Sequence, residues 1–346
     1  MKKLIVALPL SLIAFSAVAL PGAPEYTGNL GAAPINILDG QNIQLNAQFL
    51  EFQTGATSTS PNSWQVFGSY ITTPVNIQNG NTIQPGYSQN NNAFTVGADY
   101  HSLHGIYGAA IGRNMGTLNY ASGNGSLGLD ENMASLFAGY KIHHFYGDVI
   151  GSYGNIDESN ISHNVGAQTL AGQTTGQQTG LAGQLGYNFI FCNKTIHTGP
   201  VVTADYQNVT INGFAEIPSG TGPILTTQFG KQDFDSLVSG AGWQINYTTQ
   251  YDTTQLVPFL QTTYDHQFFN LMRNINVGMP AFSAVPGTTF SIPYEPTNNN
   301  SFVNINAGVQ AIFNTGLNFT LAYNGQVGQT NVDIQSFMVS ASVPIA

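Results

Sequence analysis

The chain has 346 residues, and only 7% of them are charged, against about 25% in a typical soluble domain. Hydrophobic residues make up an ordinary 42%, and the missing charge is replaced by 39 glycines and by neutral polar side chains. So little Lys, Glu, Arg and Asp is a poor supply for a soluble surface, and 11% aromatics argue against disorder.

Residues 1–19 read as a signal peptide. Lys2 and Lys3 precede an apolar run from Leu4 to Phe15, and Ala17-Val18-Ala19 forms an A-x-A cleavage site. Without this segment the chain keeps five basic and seventeen acidic residues, a net charge of −12. Such a balance disfavours nucleic acid and anionic lipid headgroups as partners. Cys192 is the single cysteine, so no disulfide can form within the chain. No later apolar stretch reaches the ~18 residues a membrane helix needs. The other architecture that can span a bilayer is a closed β-barrel.

Residues 20–62 form a short N-terminal segment. Within "NILDGQNIQLNAQFLEFQTG", Asp39 could cap a short helix with Ile43, Ala47 and Leu50 on one side. Alternatively Ile43, Leu45, Ala47 and Phe49 alternate as in a strand. The segment is too short to fold independently, and "GATSTSPNS" reads as a flexible joint.

From residue 63 to residue 346 one pattern recurs about twelve times. Strands are expected near Trp64–Thr72, Ala93–Ser102, Ile106–Tyr120, Asn132–Ile142, Phe145–Gly154 and Thr179–Phe191. They continue near Thr195–Val209, Asp235–Thr248, Leu256–Phe268, Phe302–Phe313, Leu317–Gly325 and Asp333–Ile345. In "FTVGADY" Phe94, Val96, Ala98 and Tyr100 share a face opposite Thr95, Gly97 and Asp99. The polar face carries Asn, Gln, Thr and Gly rather than Lys and Glu, as a wet lumen would. Short connections alternate with long ones at Thr73–Asn92, Asn155–Gln178, Ile211–Phe234 and Asn270–Ser301, with short exceptions on the long side near Ala121–Gly128 and Gln326–Val332. This asymmetry belongs to outer-membrane barrels. The expected fold is therefore all-β: a transmembrane antiparallel β-barrel of 12 strands in the cell outer membrane.

The polar faces nominate lumen-lining residues: Asp99, Asp148, Gln184, Asn188, Asp205, Gln244, Asn304 and Asn306. The last strand, "QSFMVSASVPIA", puts Phe337, Val339, Ala341, Val343 and Ile345 on one apolar face. It should pair with the first strand and close the barrel.

From Trp64 to the C-terminus the chain resembles the autotransporter β-domain, especially the version found behind outer-membrane GDSL esterases. The pieces that carry the resemblance include "LAGQLGYNF", "GPVVTADYQNVTINGFAE", "DSLVSGAGWQINY", "VPFLQTTYDHQFFNLMRNINVGM" and "FVNINAGVQAIF". The resemblance implies both termini on the periplasmic side and a linker helix through the pore. It implies outer-membrane lipid and the barrel assembly machinery as partners, with the final strand as the assembly signal. Two departures stand out. Family members end on an aromatic residue where Ile345 stands here, followed by Ala346. A long passenger precedes the family's barrel, whereas only residues 20–62 do so here, with no esterase nucleophile motif. Residues 20–62 are then a plug or a minimal passenger.

No catalytic, cofactor or metal motif emerges. His101, His104, His143 and His144 fall at short turns, His163 in a long connection and His197 near a strand start. Asp265 and His266 are adjacent, so on a strand they face opposite sides and cannot pair for acid–base work. Arg273 could bridge to Asp265 or Asp205 inside the lumen, a structural role. The expected function is an outer-membrane autotransporter-type barrel without an enzymatic passenger, exposing loops or its N-terminal segment, or passing solutes. The alternatives are a secreted soluble β-rich adhesin and an outer-membrane barrel hydrolase.

Overall fold

The computed structural model describes residues 23–54, 62–78, 86–121, 125–165, 167–192, 195–220, 226–269, 273–278, 289–294 and 300–345. Among the described residues, twelve long strands form one antiparallel sheet that closes on itself. They are β1 (Ser63–Ile77), β2 (Tyr87–His101), β3 (Gly105–Tyr120), β4 (Gly125–Ile142), β5 (Phe145–Val165) and β6 (Gln168–Tyr187). β7 (Ile196–Ile211), β8 (Gln232–Tyr247), β9 (Thr254–Gln267), β10 (Ser301–Ile312), β11 (Asn318–Val327) and β12 (Val332–Ile345) complete the ring. Phe189–Phe191 continues β6 and Thr249–Tyr251 continues β8 towards the short-turn end. Each strand pairs with its chain neighbours, and β12 pairs with β1 from Ile345 opposite Trp64 to Val332 opposite Ile77. Among the described residues the twelve-stranded ring leaves no open edge, which is the condition for backbone to lie in lipid.

The turns at the end that carries Ile345 are short. His143, Cys192 and Asp252 take left-handed φ values of 55°, 52° and 53° there, as tight reversals between antiparallel strands require. At the other end the strands run on past the expected boundaries. β5 and β6 extend to Val165 and Gln168, where a long loop over Asn155–Gln178 was expected. The reason is a reversal of pattern. Beyond Tyr153 the outward residues Asn155 and Asp157 are polar, and the apolar Ile156, Ile161 and Leu170 turn inward. A strand leaving lipid for water swaps the face that must be apolar. β1 and β2 lengthen in the same way, to Ile77 and from Tyr87. The connection β7–β8 holds Phe214–Gly220 and Thr227–Phe229, and β9–β10 holds the hairpin Arg273–Gly278 with Thr289–Tyr294. Thr227–Phe229 pairs with both, forming a small sheet over this mouth.

The outer wall carries a continuous apolar surface of a kind that soluble monomers rarely expose. Leu136 is 71% exposed, Leu185 64% and Ile111 64%. Aromatic rings edge this belt. On the short-turn side Trp64 meets Tyr100 at 5.4 Å, Phe145 meets Tyr187 at 4.7 Å, and Tyr187 meets Phe189 at 4.9 Å. On the far side lie Tyr70, Phe94, Tyr153, Tyr206 and Tyr264, with Tyr323 and Phe337 at 5.3 Å. The outward salt bridges begin at and beyond the far girdle. Arg113 grips Asp130 with two hydrogen bonds of 3.0 and 2.6 Å, and Lys231 lies 2.9 Å from Asp233.

Candidate functional site: the filled lumen

The barrel is filled by its own N-terminal segment. The helix α1 (Ala23–Asn46) passes through a 3-10 turn (Ala47–Phe49) into α2 (Leu50–Thr54). Asp39 lies mid-helix rather than at a cap, because the helix begins sixteen residues before it. With Gly31, Pro34 and Gly40, the segment has poor intrinsic propensity. Packing on several sides, not propensity or a single apolar face, therefore holds the helix.

The contacts change along the helix. At the long-loop mouth Leu30, Ala33, Ile37 and Leu38 join Val75, Tyr87, Leu118, Leu127, Phe214 and Phe229 in one buried apolar cluster. At mid-barrel the contacts are polar. Gln41 donates to Ser135 Oγ at 2.7 Å, and Thr95 donates to Gln44 Oε1 at 2.6 Å. Asn42 donates to Asp205 Oδ2 at 2.8 Å, and Gln207 donates to Asp39. Towards the short-turn end Leu45 and Phe49 pack on Phe67, Ile106, Phe137 and Ile150, and the Phe49 and Phe137 rings meet edge-on at 5.7 Å. Gln53 O accepts from Asn188 at 3.0 Å and from Asn246 at 3.2 Å. The wall is shaped for this rod. A Cβ at Gly180 would stand 2.4 Å from Leu38 Cδ2.

The nominated polar residues fall into distinct groups. Tyr146 donates to Gln244 at 2.7 Å, Gln244 donates to Asn188 at 2.8 Å, and Asn188 reaches the helix. Gln184 donates to Asp148 Oδ2 at 2.8 Å. Asp99 is buried, with Oδ1 2.8 Å from His101 Nε2. Asp205 binds the helix through Asn42, while the Arg273 side chain lies outside the described residues. Asn304 and Asn306 are half-buried on β10. Sequence reasoning put Asp39 at a helix cap and not against the wall, and it missed Asn42, Tyr146 and Gln207. Gln207 shares the parity of Asp205, which was a usable signal, but the partners on the helix had no period to reveal them. It also missed how apolar the lumen is, with Phe67, Ile71, Phe137 and Ile150 all buried inside.

The histidines do not assemble a catalytic set. His266 Nδ1 lies 2.9 Å from Ser301 Oγ, while Asp265 is buried towards the interior. His104 and His144 lie against Tyr140 and Tyr187, at 6.2 and 5.6 Å between rings. His163 Nδ1 lies 3.3 Å from Glu216 Oε1 beyond the outer girdle, both buried. Burial pushes His163 down to about 4 and Glu216 up to about 8, so both are uncharged at neutral pH. Among the described residues no three His, Cys, Asp or Glu gather as metal ligands, and no helix is long and apolar enough to cross a membrane.

A closed twelve-stranded wall, apolar outside, ringed by aromatics and threaded by a helix, defines an outer-membrane barrel of the translocator type. Residues 63–324 match the autotransporter β-domain, and the chain belongs to that family, whose members are mostly transport domains of the outer membrane. Its fold is similar to the translocator domain of autotransporter NalP from Neisseria meningitidis, with a TM-score of 0.66 at 16% identity over 90% of this chain and 98% of that one. The β-domain of the Bordetella autotransporter BrkA gives 0.59 at 13% identity, covering 82% and 99%. The transport unit of AIDA-I from Escherichia coli gives 0.51 at 11% identity, covering 88% and 98%. Over 172 residues the chain is 24% identical to an uncharacterized protein of the trpE–trpG intergenic region in Pseudomonas putida. That match covers 47% of this chain and 27% of the relative, so the chain spans about a quarter of the curated relative's length.

Proposed function

We propose that the protein is a display barrel: residues 1–19 export it, residues 20–62 plug the pore, and residues 63–346 anchor the long-loop end at the cell surface. Its role is then to present the extended β5–β6 hairpin and the small mouth sheet, with neither catalysis nor cofactor. The observation that carries this reading is the apolar cluster of Leu30, Ile37 and Leu38 with Tyr87, Leu118 and Phe229 at the mouth. A pathway sealed by interlocking apolar side chains excludes water and hydrated ions. The barrel assembly machinery would receive the closing strand through Phe337, Val339, Ala341, Val343 and Ile345, all on the outward face.

Planar-bilayer recording tests the plug. The intact chain should conduct little. A chain lacking residues 20–62, accepted only if its gel migration is heat-modifiable, should conduct and prefer cations, because Asp99, Asp148 and Asp205 face its lumen. Replacing these three by Asn should reduce the preference. High conductance from the intact chain would favour passive permeation instead.

A further inference from the structure

The lipid-facing wall carries a notch that does not belong to the lumen. Its volume is about 710 Å³, within the ~300–1,000 Å³ typical of sites for small molecules. The strand register explains it. One row across the wall reads Tyr140, Gly147, Leu185 and Val202 on β4, β5, β6 and β7. The next row reads Tyr107, Ala138, Val149 and Gly183. Ala138 is small among rings and branched chains, and Gly147 lets Leu185 fold down onto the wall, since a Cβ at Gly147 would stand 2.5 Å from Leu185 Cδ2; the wall sinks there. The floor is apolar.

The position of the notch identifies its occupant. It opens beside Phe145 and Tyr187, in the aromatic girdle of the short-turn, periplasmic side. Two tyrosines frame this opening, and each has a histidine against it: His104 beside Tyr140 and His144 beside Tyr187. His144 Nδ1 lies 2.9 Å from Asn188 O, so the Nδ1–H is committed to that carbonyl and the ring is held in place. The site therefore has an apolar slot on the bilayer side and hydroxyl and imidazole groups at headgroup level. We propose that this notch is a specific phospholipid site of the periplasmic leaflet. One acyl chain lies over Ala138 and the lowered Leu185, and the phosphodiester hydrogen-bonds at the Tyr140–Tyr187 rim. The proposal rests on the outer-membrane placement of the barrel and is independent of whether the pore is plugged.

The test uses the full mature chain. Native mass spectrometry of detergent-solubilised protein, titrated with phosphatidylethanolamine, counts retained lipid. Wild type should keep one molecule. Ala138→Phe and Gly147→Leu fill the slot and should lower its occupancy about tenfold, the effect of losing roughly two buried methylene groups. Ala307→Phe places a ring on the outer wall of β10, away from the notch, and should leave retention unchanged. A second reading comes from Trp243, which lies directly opposite Pro200 of the notch lining. With Trp64→Phe leaving Trp243 as the reporter, brominated phosphatidylethanolamine should quench with saturation at a low mole fraction. The filled variants should quench in proportion to the mole fraction. Equal retention and proportional quenching in all forms, with heat-modifiable migration intact, would overturn the site and leave ordinary annular lipid.

Discussion

Ile345 of β12 lies directly opposite Trp64 of β1, and both side chains face outward in the girdle at the short-turn end. The last turn of the ring is therefore closed by an aliphatic residue against an aromatic one. An aromatic at position 345 would complete a ring–ring pair across this seam, worth about 0.2–1 kcal/mol for a cross-strand neighbour. Ile345→Phe, made with Ala346 deleted, should raise or preserve the amount of folded barrel in the outer membrane. Quantified heat-modifiable migration of outer-membrane fractions measures it, and a marked fall would show that Ile345 makes contacts a ring cannot replace.

Val309 and Asn306 lie on the same strand with opposite exposure. Val309 faces lipid, whereas Asn306 is half-buried inside with its Oδ1 unpartnered. Val309→Arg should lose ~2–4 kcal/mol of folding free energy in liposomes. Asn306→Arg should lose clearly less, because its long side chain can reach polar neighbours. The neighbouring Gln310 is a worse comparison, since it is fully enclosed and any larger residue there is overpacked. Equal losses at 306 and 309 in urea titrations would contradict an outside in lipid and an inside with polar space.

Gly180 is the place where the wall yields to the helix. Gly180→Leu meets Leu38 and should weaken helix seating by ~1–3 kcal/mol, the usual range for overpacking. Openings should become more frequent in planar bilayers while the barrel still migrates as folded. Gly151 faces open space on the outer wall, so Gly151→Leu is the matched control and should conduct like wild type.

The mouth should respond to acid through two opposed groups. His163 has a folded pKa of about 4, below the ordinary 6.5, so its opened form binds more protons and its share of closure weakens as pH falls from about 6.5 towards 4. Glu216 has a folded pKa of about 8, above the ordinary 4.5, so its closed form binds more protons and its share of closure strengthens as pH falls from about 8 towards 4.5. Proteolytic nicking of the β5–β6 hairpin, compared between about pH 7 and about pH 5, separates the two. Relative to wild type, Glu216→Gln should make nicking speed up more on acidification, and His163→Gln should make it slow down more. The same pH dependence in all three forms would overturn this account.

The sequence by itself determined the wall. Alternation in pieces such as "FTVGADY" is a local property of extended chain, and low charge forces the apolar face towards lipid; both were legible without contacts. The order of strands and the seam followed, because short turns join antiparallel neighbours and a strand running to Ile345 must find β1. The strand extensions beyond Tyr153 were hidden, since the apolar face switches sides where the wall leaves the bilayer. The lumen was legible only in part. Asp205 could be placed on the inner face by parity, but its partner Asn42 could not, because the helix from Ala23 is neither amphipathic nor rich in helix formers. That helix exists because the closed wall surrounds it, and the notch exists because β4 and β5 set Ala138 and Gly147 at diagonal positions among larger neighbours. Both depend on neighbours distant in the chain, which only the tertiary structure brings together.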